Sequence, residues 1–491
     1  MKKGVLLILD GYGEGDAGMY NAVINANTPT LDKIKSQGYA LLKTHGESVG
    51  LFESEMGGSE VGHLTIGSGR VVNTIAKQIR DEIRSGEFRK NKVINHIVDK
   101  LSANGGNLHL AGLMSDKNVH SNVEHCIEII KLAHDKVKNI YVHFISDGRD
   151  CGIADSIKYL ELLNRTIKDI PNCEILSVGG RFYGMDRERL LDRTEKAFNA
   201  MFNKVDEIDD VESYLKLNHA NNVTDENIVP VSVKSSTYKK VSENDVVFFF
   251  NFREDRMRQI AKRCEKLNCE IVTMSNVGGV NSLVAYPKTT TTNTLSEYLS
   301  ENGLKQIKIT ETTKYAHLTY FLNGGEEKPF PNEDRICFET IETDNYAKTP
   351  KMRAEDITEE VVLSIEKGYD AVIINFPNPD IVGHMGDYAA VVTAIECLDK
   401  CVEKIINKAT EKGYFVIVTA DHGNAESMVR ENGEPNMSHT INKVFCAVID
   451  NGENLPVIKE GELKNVAPTF VEMMGLEQSP YFEGKSLLIQ T

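Results

Sequence analysis

The chain has 491 residues, 41% of them hydrophobic and 26% charged, with 37 Gly and 13 Pro. That is an ordinary globular composition, long enough for about two or three domains, and it excludes a disordered or collagen-like chain. Lys and Arg number 56 against 72 Asp and Glu, a formal charge of −16, which argues against general nucleic-acid binding, since that rests on neutralising phosphates. Short apolar runs then alternate with amphipathic stretches. Residues 5–9 and 108–113 read as buried strands, 127–137 as a helix, 140–145 as a strand, 156–167 as a helix, and 174–178 and 246–250 as strands. Residues 257–267 read as a helix, 371–374 as a strand, 388–409 as a helix and 415–418 as a strand. Alternating strands and helices predict α/β architecture with largely parallel sheets.

Nine cysteines without a C-x-x-C pattern do not read as a disulfide framework, so a reducing cytoplasm is expected. The apolar run after Met1, Lys2 and Lys3 stops at Asp10, too soon for a signal peptide, and no run approaches the ~20 residues of a membrane span. No membrane or nucleic-acid partner is expected.

The residues just past each strand are more telling, because ligands of open α/β sheets bind beyond the carboxyl ends of the strands. Near both ends of the chain those positions carry acids and histidines: Asp10, Asp380, His384, Asp421 and His422, with His439 further on. In the middle they carry Arg149, Arg181, Arg253 and Arg256, with Arg187 and His120 close by. The simplest organisation is a metal-binding domain of residues 1–76 and 287–491, with an anion-binding domain of residues 77–286 inserted into it.

Asp380 and His384 are four apart, so one helical turn puts both on one face. Carboxylate and imidazole together suit Mn²⁺, Zn²⁺ or Fe, and abundant carboxylate shifts the preference to Mn²⁺ or Mg²⁺. The bland alternative is that each strand-end Asp only caps a turn or helix. Ser59, in residues 56–63 (MGGSEVGH), is a candidate nucleophile at a helix start; its bland alternative is an N-cap. Guanidinium forks pair with phosphate and carboxylate, and Arg253 and Arg256 are spaced for one helical turn; a solvated helix face is the competing explanation. Lys314 says nothing by itself. Residues 13–18 (GEGDAG) match a dinucleotide fingerprint, but Asp10 intervenes and a loop with at most a short helix comes next, so nicotinamide binding is not expected.

Taken together, residues 9–13 (LDGYG), 59–70, 115–121 (SDKNVHS), 147–150 (DGRD), 180–187 (GRFYGMDR), 251–256 (NFREDR), 314–317 (KYAH), 378–384 (NPDIVGH), 420–424 (ADHGN) and 438–440 (SHT) carry a resemblance. In this order they resemble the cofactor-independent phosphoglycerate mutases, two-metal enzymes of the alkaline phosphatase superfamily, over nearly the whole chain. The resemblance implies an alkaline-phosphatase-like domain with a second α/β domain inserted. It implies one metal on Asp380, His384 and His439 and another on Asp10, Ser59, Asp421 and His422. Two divalent ions are expected, Mn²⁺ first, with Mg²⁺, Co²⁺ or Zn²⁺ able to substitute.

Ser59 would be phosphorylated during turnover, with Lys314 and Asp150 assisting. His120, Arg149, Asp150, Arg181, Arg187, Arg253, Arg256 and Lys314 would bind a phosphoglycerate. The reaction implied interconverts 3-phosphoglycerate and 2-phosphoglycerate, in a monomer. Gly58, Lys117, Asn118, Asn122 and Tyr12 depart from the family's usual Asn, Gly, Gly, His and Trp, and none is a ligand or the nucleophile. The alternatives are a metal-dependent phosphatase or sulfatase, a phosphopentomutase-like enzyme, and a binding protein that keeps the fold.

Overall fold

Gly4–Leu9 is a central strand with all six residues buried. A strand apolar along its whole length is satisfied only inside a sheet covered on both faces. In the computed structural model, which describes residues 1–450 and 456–489, it pairs in parallel with Ala371–Phe376 on one side and Phe415–Thr419 on the other. Gln306–Glu311 and Glu333–Phe338 continue the parallel part beyond Ala371–Phe376. Val444–Ile449 is antiparallel to Phe415–Thr419, and Ala40–Lys43 and Gly461–Glu462 complete eight strands. Helices Ala354–Lys367, Tyr388–Glu411 and Val466–Met474 pack on this sheet.

The chain divides into two compact units, Met1–Thr74 with Thr289–Thr491, and Ile75–Lys288. The second unit has its own seven-stranded sheet. Cys173–Gly180, Ile140–Ser146, Leu108–Met114, Val246–Phe249, Glu270–Thr273 and Leu283–Val284 run parallel, and Val231–Ser232 is an antiparallel edge. Two apolar layers cover its faces. One is built on Ile97, Ile130, Leu163 and Phe248, the other on Phe198, Phe202, Tyr238 and Ile260.

Helices Ser156–Ile167 and Tyr388–Glu411 form where the periodicity puts them. Two expectations need correction. The helix expected over 127–137 is Val123–Ala133, because the Asn122 side chain accepts the Glu124 N–H at 2.9 Å and starts it early. The one expected over 257–267 is α-helical only over Arg258–Cys264, then tightens into a 3₁₀ turn, Glu265–Leu267. Arg253 and Arg256 therefore precede the helix and do not share a helical face. Residues 13–18 are loop, followed by the four-residue helix Ala22–Asn25. Among the described residues no helix is long and apolar enough to cross a membrane, and all nine cysteines are free thiols.

Candidate active site

In the first unit, four neighbouring parallel strands end at one edge of the sheet. Gly4–Leu9 ends at Asp10, and Phe415–Thr419 leads to Asp421 and His422. Ala371–Phe376 leads to the helix Asn378–Gly383 with Asp380, and Gln306–Glu311 to the turn Thr312–Lys314. Val444–Ile449 runs the other way, so the loop before it brings His439 to the same edge. The chain turns sharply after Asp10. Gly11 adopts φ +75°, and a Cβ there would lie 2.8 Å from the Asp380 Cα, which leaves glycine as the residue that fits.

Two groups of ligand-type atoms result, Asp380 with His384 and His439, and Asp10 with Asp421 and His422, each within 4.8 Å of one another. In the first, Nδ1 of His384 donates to the Met437 carbonyl at 2.8 Å and Nδ1 of His439 to the Gly57 carbonyl at 2.9 Å. A carbonyl only accepts, so these assignments leave both neutral rings with a bare Nε2. The two Nε2 atoms face each other at 3.2 Å, and each lies 3.2 Å from Asp380 Oδ1. Two lone pairs and a carboxylate this close repel one another unless a proton or a metal ion joins them, and Asp380 raises the His384 pKa accordingly.

In the second group, His422 turns Nδ1 to the Gly423 carbonyl and Nε2 to Asp10 Oδ1, 3.3 Å away. Asp421 Oδ2 is buried without a hydrogen-bond partner. His63 Nδ1 is 3.1 Å from it, but that nitrogen's hydrogen serves the Ser59 carbonyl at 2.9 Å. Both donor sets fit divalent metal ions.

The charges agree. Burial opposes a charge on Lys314, but Asp10, Asp380 and Asp421 outweigh it and hold its pKa above the ordinary lysine value. Burial also opposes a charge on His422, which Asp421, Asp10 and Asp380 push up to about 10. Burial would raise Asp421; His422, His63 and Lys314 hold it well below the usual carboxylate range. Protons and metal ions compete for such rings.

Ser59 stands among these groups. It is the first residue of the helix Ser59–Ser68, and the N-cap is Gly58, in an extended conformation; the serine is not the cap. Its Oγ accepts from Lys314 Nζ at 2.5 Å and lies 3.2 Å from Asp10 Oδ1 and 3.0 Å from His422 Nε2. Lys314 Nζ also donates to Asp10 Oδ1 at 2.8 Å and Asp380 Oδ2 at 2.7 Å. The first-turn N–H groups have no carbonyl behind them and suit an anion.

The seven residues predicted for the metal and nucleophile group thus converge, together with Lys314. Sequence reasoning missed His63 and Asn375. The Asn375 amide donates to Asp10 Oδ2 at 2.8 Å and lies 3.0 Å from His63 Nε2. The available signal for His63 was its spacing, one helical turn after Ser59.

The second unit collects its cations at strand ends too. Arg181 follows Cys173–Gly180 and is buried, its Nη1 2.5 Å from both Asp147 Oδ1 and Asp150 Oδ2. His120 is buried, with Nε2 3.8 Å from Asp150. Burial and Arg181 push its pKa down to about 4, so it is neutral at pH 7. Arg149, Arg187 and Arg253 are half exposed, in contact with Glu226, Asp255 and Asp255 respectively. Arg256 Nε is buried and unpartnered. Burial, then Arg187, Arg181 and Arg149, hold Arg256 below the ordinary guanidinium value. Like charges gathered this closely suit a multiply charged anion. Asp147, which orients Arg181, was not among the expected site residues.

Comparison with known proteins matches the Metalloenzyme superfamily over residues 2–478. A 2,3-bisphosphoglycerate-independent phosphoglycerate mutase of Methanosarcina barkeri is 38% identical, over 99% of this chain and 98% of its own length. One from Clostridium botulinum is 39% identical, over 99% of both. Among solved structures, the phosphoglycerate mutase of Leishmania mexicana, at low cobalt concentration, superposes with a TM-score of 0.66 at 28% identity. That match covers 100% of this chain and 98% of the other.

Proposed function

The chain belongs to the 2,3-bisphosphoglycerate-independent phosphoglycerate mutases, isomerases of 3-phosphoglycerate and 2-phosphoglycerate, and from that premise we propose that the phosphoryl group travels through Ser59. The observation that carries this is the Ser59 hydroxyl, held between Lys314 Nζ at 2.5 Å and His422 Nε2 at 3.0 Å. Asp380, His384 and His439 would hold one divalent ion, and Asp10, Ser59, Asp421 and His422 the other; Mn²⁺ is the proposed ion, with Mg²⁺, Co²⁺ or Zn²⁺ as substitutes. When bound, such ions supply Lewis-acid charge to the serine oxygen and to phosphoryl oxygens.

Ser59 Oγ attacks phosphorus, the Oγ–P bond forms and the bond from phosphorus to the C3 oxygen breaks. The serine proton ends on that C3 oxygen. Lys314 and the first-turn amides of Ser59–Ser68 neutralise the phosphoryl oxygens. The reverse step forms the bond from the C2 oxygen to phosphorus and breaks Oγ–P. Asp150 takes the C2 hydroxyl proton, which returns to Ser59. The second unit is the substrate-binding unit. Arg149, Arg181, Arg187, Arg253 and Arg256 hold the carboxylate and phosphate charge, and neutral His120 adds a hydrogen bond. A monomer is part of the proposal, and nine free thiols support the reducing cytoplasm as its compartment.

The test is an enolase-coupled assay of metal-stripped protein on 3-phosphoglycerate, without 2,3-bisphosphoglycerate, with and without Mn²⁺, following free phosphate in parallel. The expected result is Mn²⁺-restored 2-phosphoglycerate without phosphate release. Phosphate release alone would make the protein a phosphatase on the same framework.

A further inference from the structure

Glu426 is a buried carboxylate, 4% exposed, that the mechanism above does not use. Its three hydrogen-bond donors among the described residues are all uncharged. The Asn424 backbone N–H reaches Oε2 at 2.8 Å, the Asn442 amide reaches Oε1 at 3.0 Å, and the Thr440 hydroxyl also donates to Oε1. Burying a carboxylate on neutral donors is costly, so what it holds matters. Asn424 lies two residues after His422 and three after Asp421, and Thr440 adjoins His439. The same two loops meet again where the Thr440 N–H donates to the Gly423 carbonyl at 3.1 Å.

The carboxylate also sits under the Asp10 loop. A Cβ on Gly13 would lie 2.2 Å from Glu426 Oε2, and one on Gly423 would lie 2.4 Å from Oε1. The next residue joins in: the Ala425 N–H donates to the Gly11 carbonyl at 3.0 Å. The fourth ligand segment is reached through Asn424, whose amide donates to Asp380 Oδ1 at 3.0 Å.

We propose that Glu426 is the positioning residue of both metal groups. One carboxylate fixes the spacing of the Asp421–His422 and His439 loops and fills the space beneath the Asp10 loop, without touching a ligand atom itself. Partners of this kind typically set metal affinity by about 10- to 100-fold. The inference rests on the reading that these residues hold two divalent ions.

The experiment is calorimetric titration of the metal-stripped full chain with Mn²⁺, comparing wild type, Glu426→Gln and Val361→Ala. Val361 is buried in the same unit, on the helix Ala354–Lys367, and serves as a control of general destabilisation. Gln keeps the shape but turns a donor towards donors. The expected result is two Mn²⁺ on the wild type and on Val361→Ala, with both affinities about 10- to 100-fold weaker in Glu426→Gln. Turnover of that variant should recover as Mn²⁺ is raised. If Glu426→Gln fails to fold, Thr440→Val decides. It removes one of the three donors, and a smaller weakening of both sites supports the proposal, while none overturns it. Two Mn²⁺ bound equally by Glu426→Gln and wild type would overturn the inference alone. A wild type that binds no Mn²⁺ would overturn the two-ion reading and this inference with it.

Discussion

The two α/β units solve one geometric problem with opposite charges. In each, the carboxyl ends of parallel strands gather side chains that are distant in sequence. In the first unit the ends of Gly4–Leu9, Ala371–Phe376 and Phe415–Thr419 bring Asp10, Asp380 and Asp421 together. Lys314 rises in pKa there because carboxylates surround it. In the second unit the ends of Ile140–Ser146 and Cys173–Gly180 bring Arg149 and Arg181. Arg256 falls there through burial and neighbouring guanidinium groups. One cluster is deficient in cations and the other in anions. The sheet supplies convergence, and the residues just past each strand decide what is bound.

The sharpest break of this comparison is Ser59→Ala. It should lower transfer by about 10⁴-fold or more and leave one Mn²⁺ bound at Asp380, His384 and His439. Retained mutase activity would sink the serine mechanism. The second unit's role is separated by Arg256→Ala. A charge-assisted hydrogen bond lost from an anion site raises KM about 10- to 100-fold, with unchanged Mn²⁺ affinity. Arg256→Lys should not restore it, because the ammonium lacks the guanidinium fork. An Arg256→Ala variant with weakened Mn²⁺ binding and normal KM would contradict the division of labour.

A third prediction uses pH, since burial in an apolar layer and burial among carboxylates move histidines in opposite directions. Burial lowers His109 and His125 to about 4, and His143 further, while carboxylates raise His422 to about 10. His109, His125 and His143 have folded pKa values below the unfolded ~6.5. The unfolded chain therefore binds more protons below that pH, and stability is lost as pH falls from 6.5 towards 4. By pH 5 the loss is about 2 kcal/mol each for His109 and His125. Segment-resolved amide exchange, corrected for intrinsic rates, should show Leu108–Met114 and Ile140–Ser146 opening more readily at pH 5 than at pH 7. Equal protection would contradict it. The smallest effect is Asn122→Ala, which removes a helix cap in the second unit. It should cost about 1 kcal/mol in urea unfolding and leave Mn²⁺ affinity unchanged.

Much of this was legible in sequence because its signals are local. An apolar run that ends in Asp10, or in Asp421 and His422, names both the strand and what it presents. The strand Gln306–Glu311 was not legible. Gln306, Lys308 and Thr310 are buried there beside Ile307 and Ile309, so no continuous apolar run appears. Lys308 is tolerable inside because Asn323 and Glu333 meet it. Lys314 follows that strand, and only the family resemblance pointed to it. Asn375 meets partners far away in the chain, Asp10 at 365 positions and His63 at 312. Such pairs have no local pattern. Arg253 and Arg256, expected on one helical turn, lie just before the helix Arg258–Cys264, since helical spacing cannot tell where a helix begins.

The most direct test of the serine pathway is a pulse and chase with 3-phosphoglycerate carrying a labelled phosphoryl group. The Mn²⁺-loaded enzyme would be quenched within one turnover and its peptides analysed by mass spectrometry. The account predicts label on Ser59 that rises first and then passes into 2-phosphoglycerate when unlabelled substrate is added. Turnover to 2-phosphoglycerate with no label on Ser59, or with the label on another residue, would contradict it.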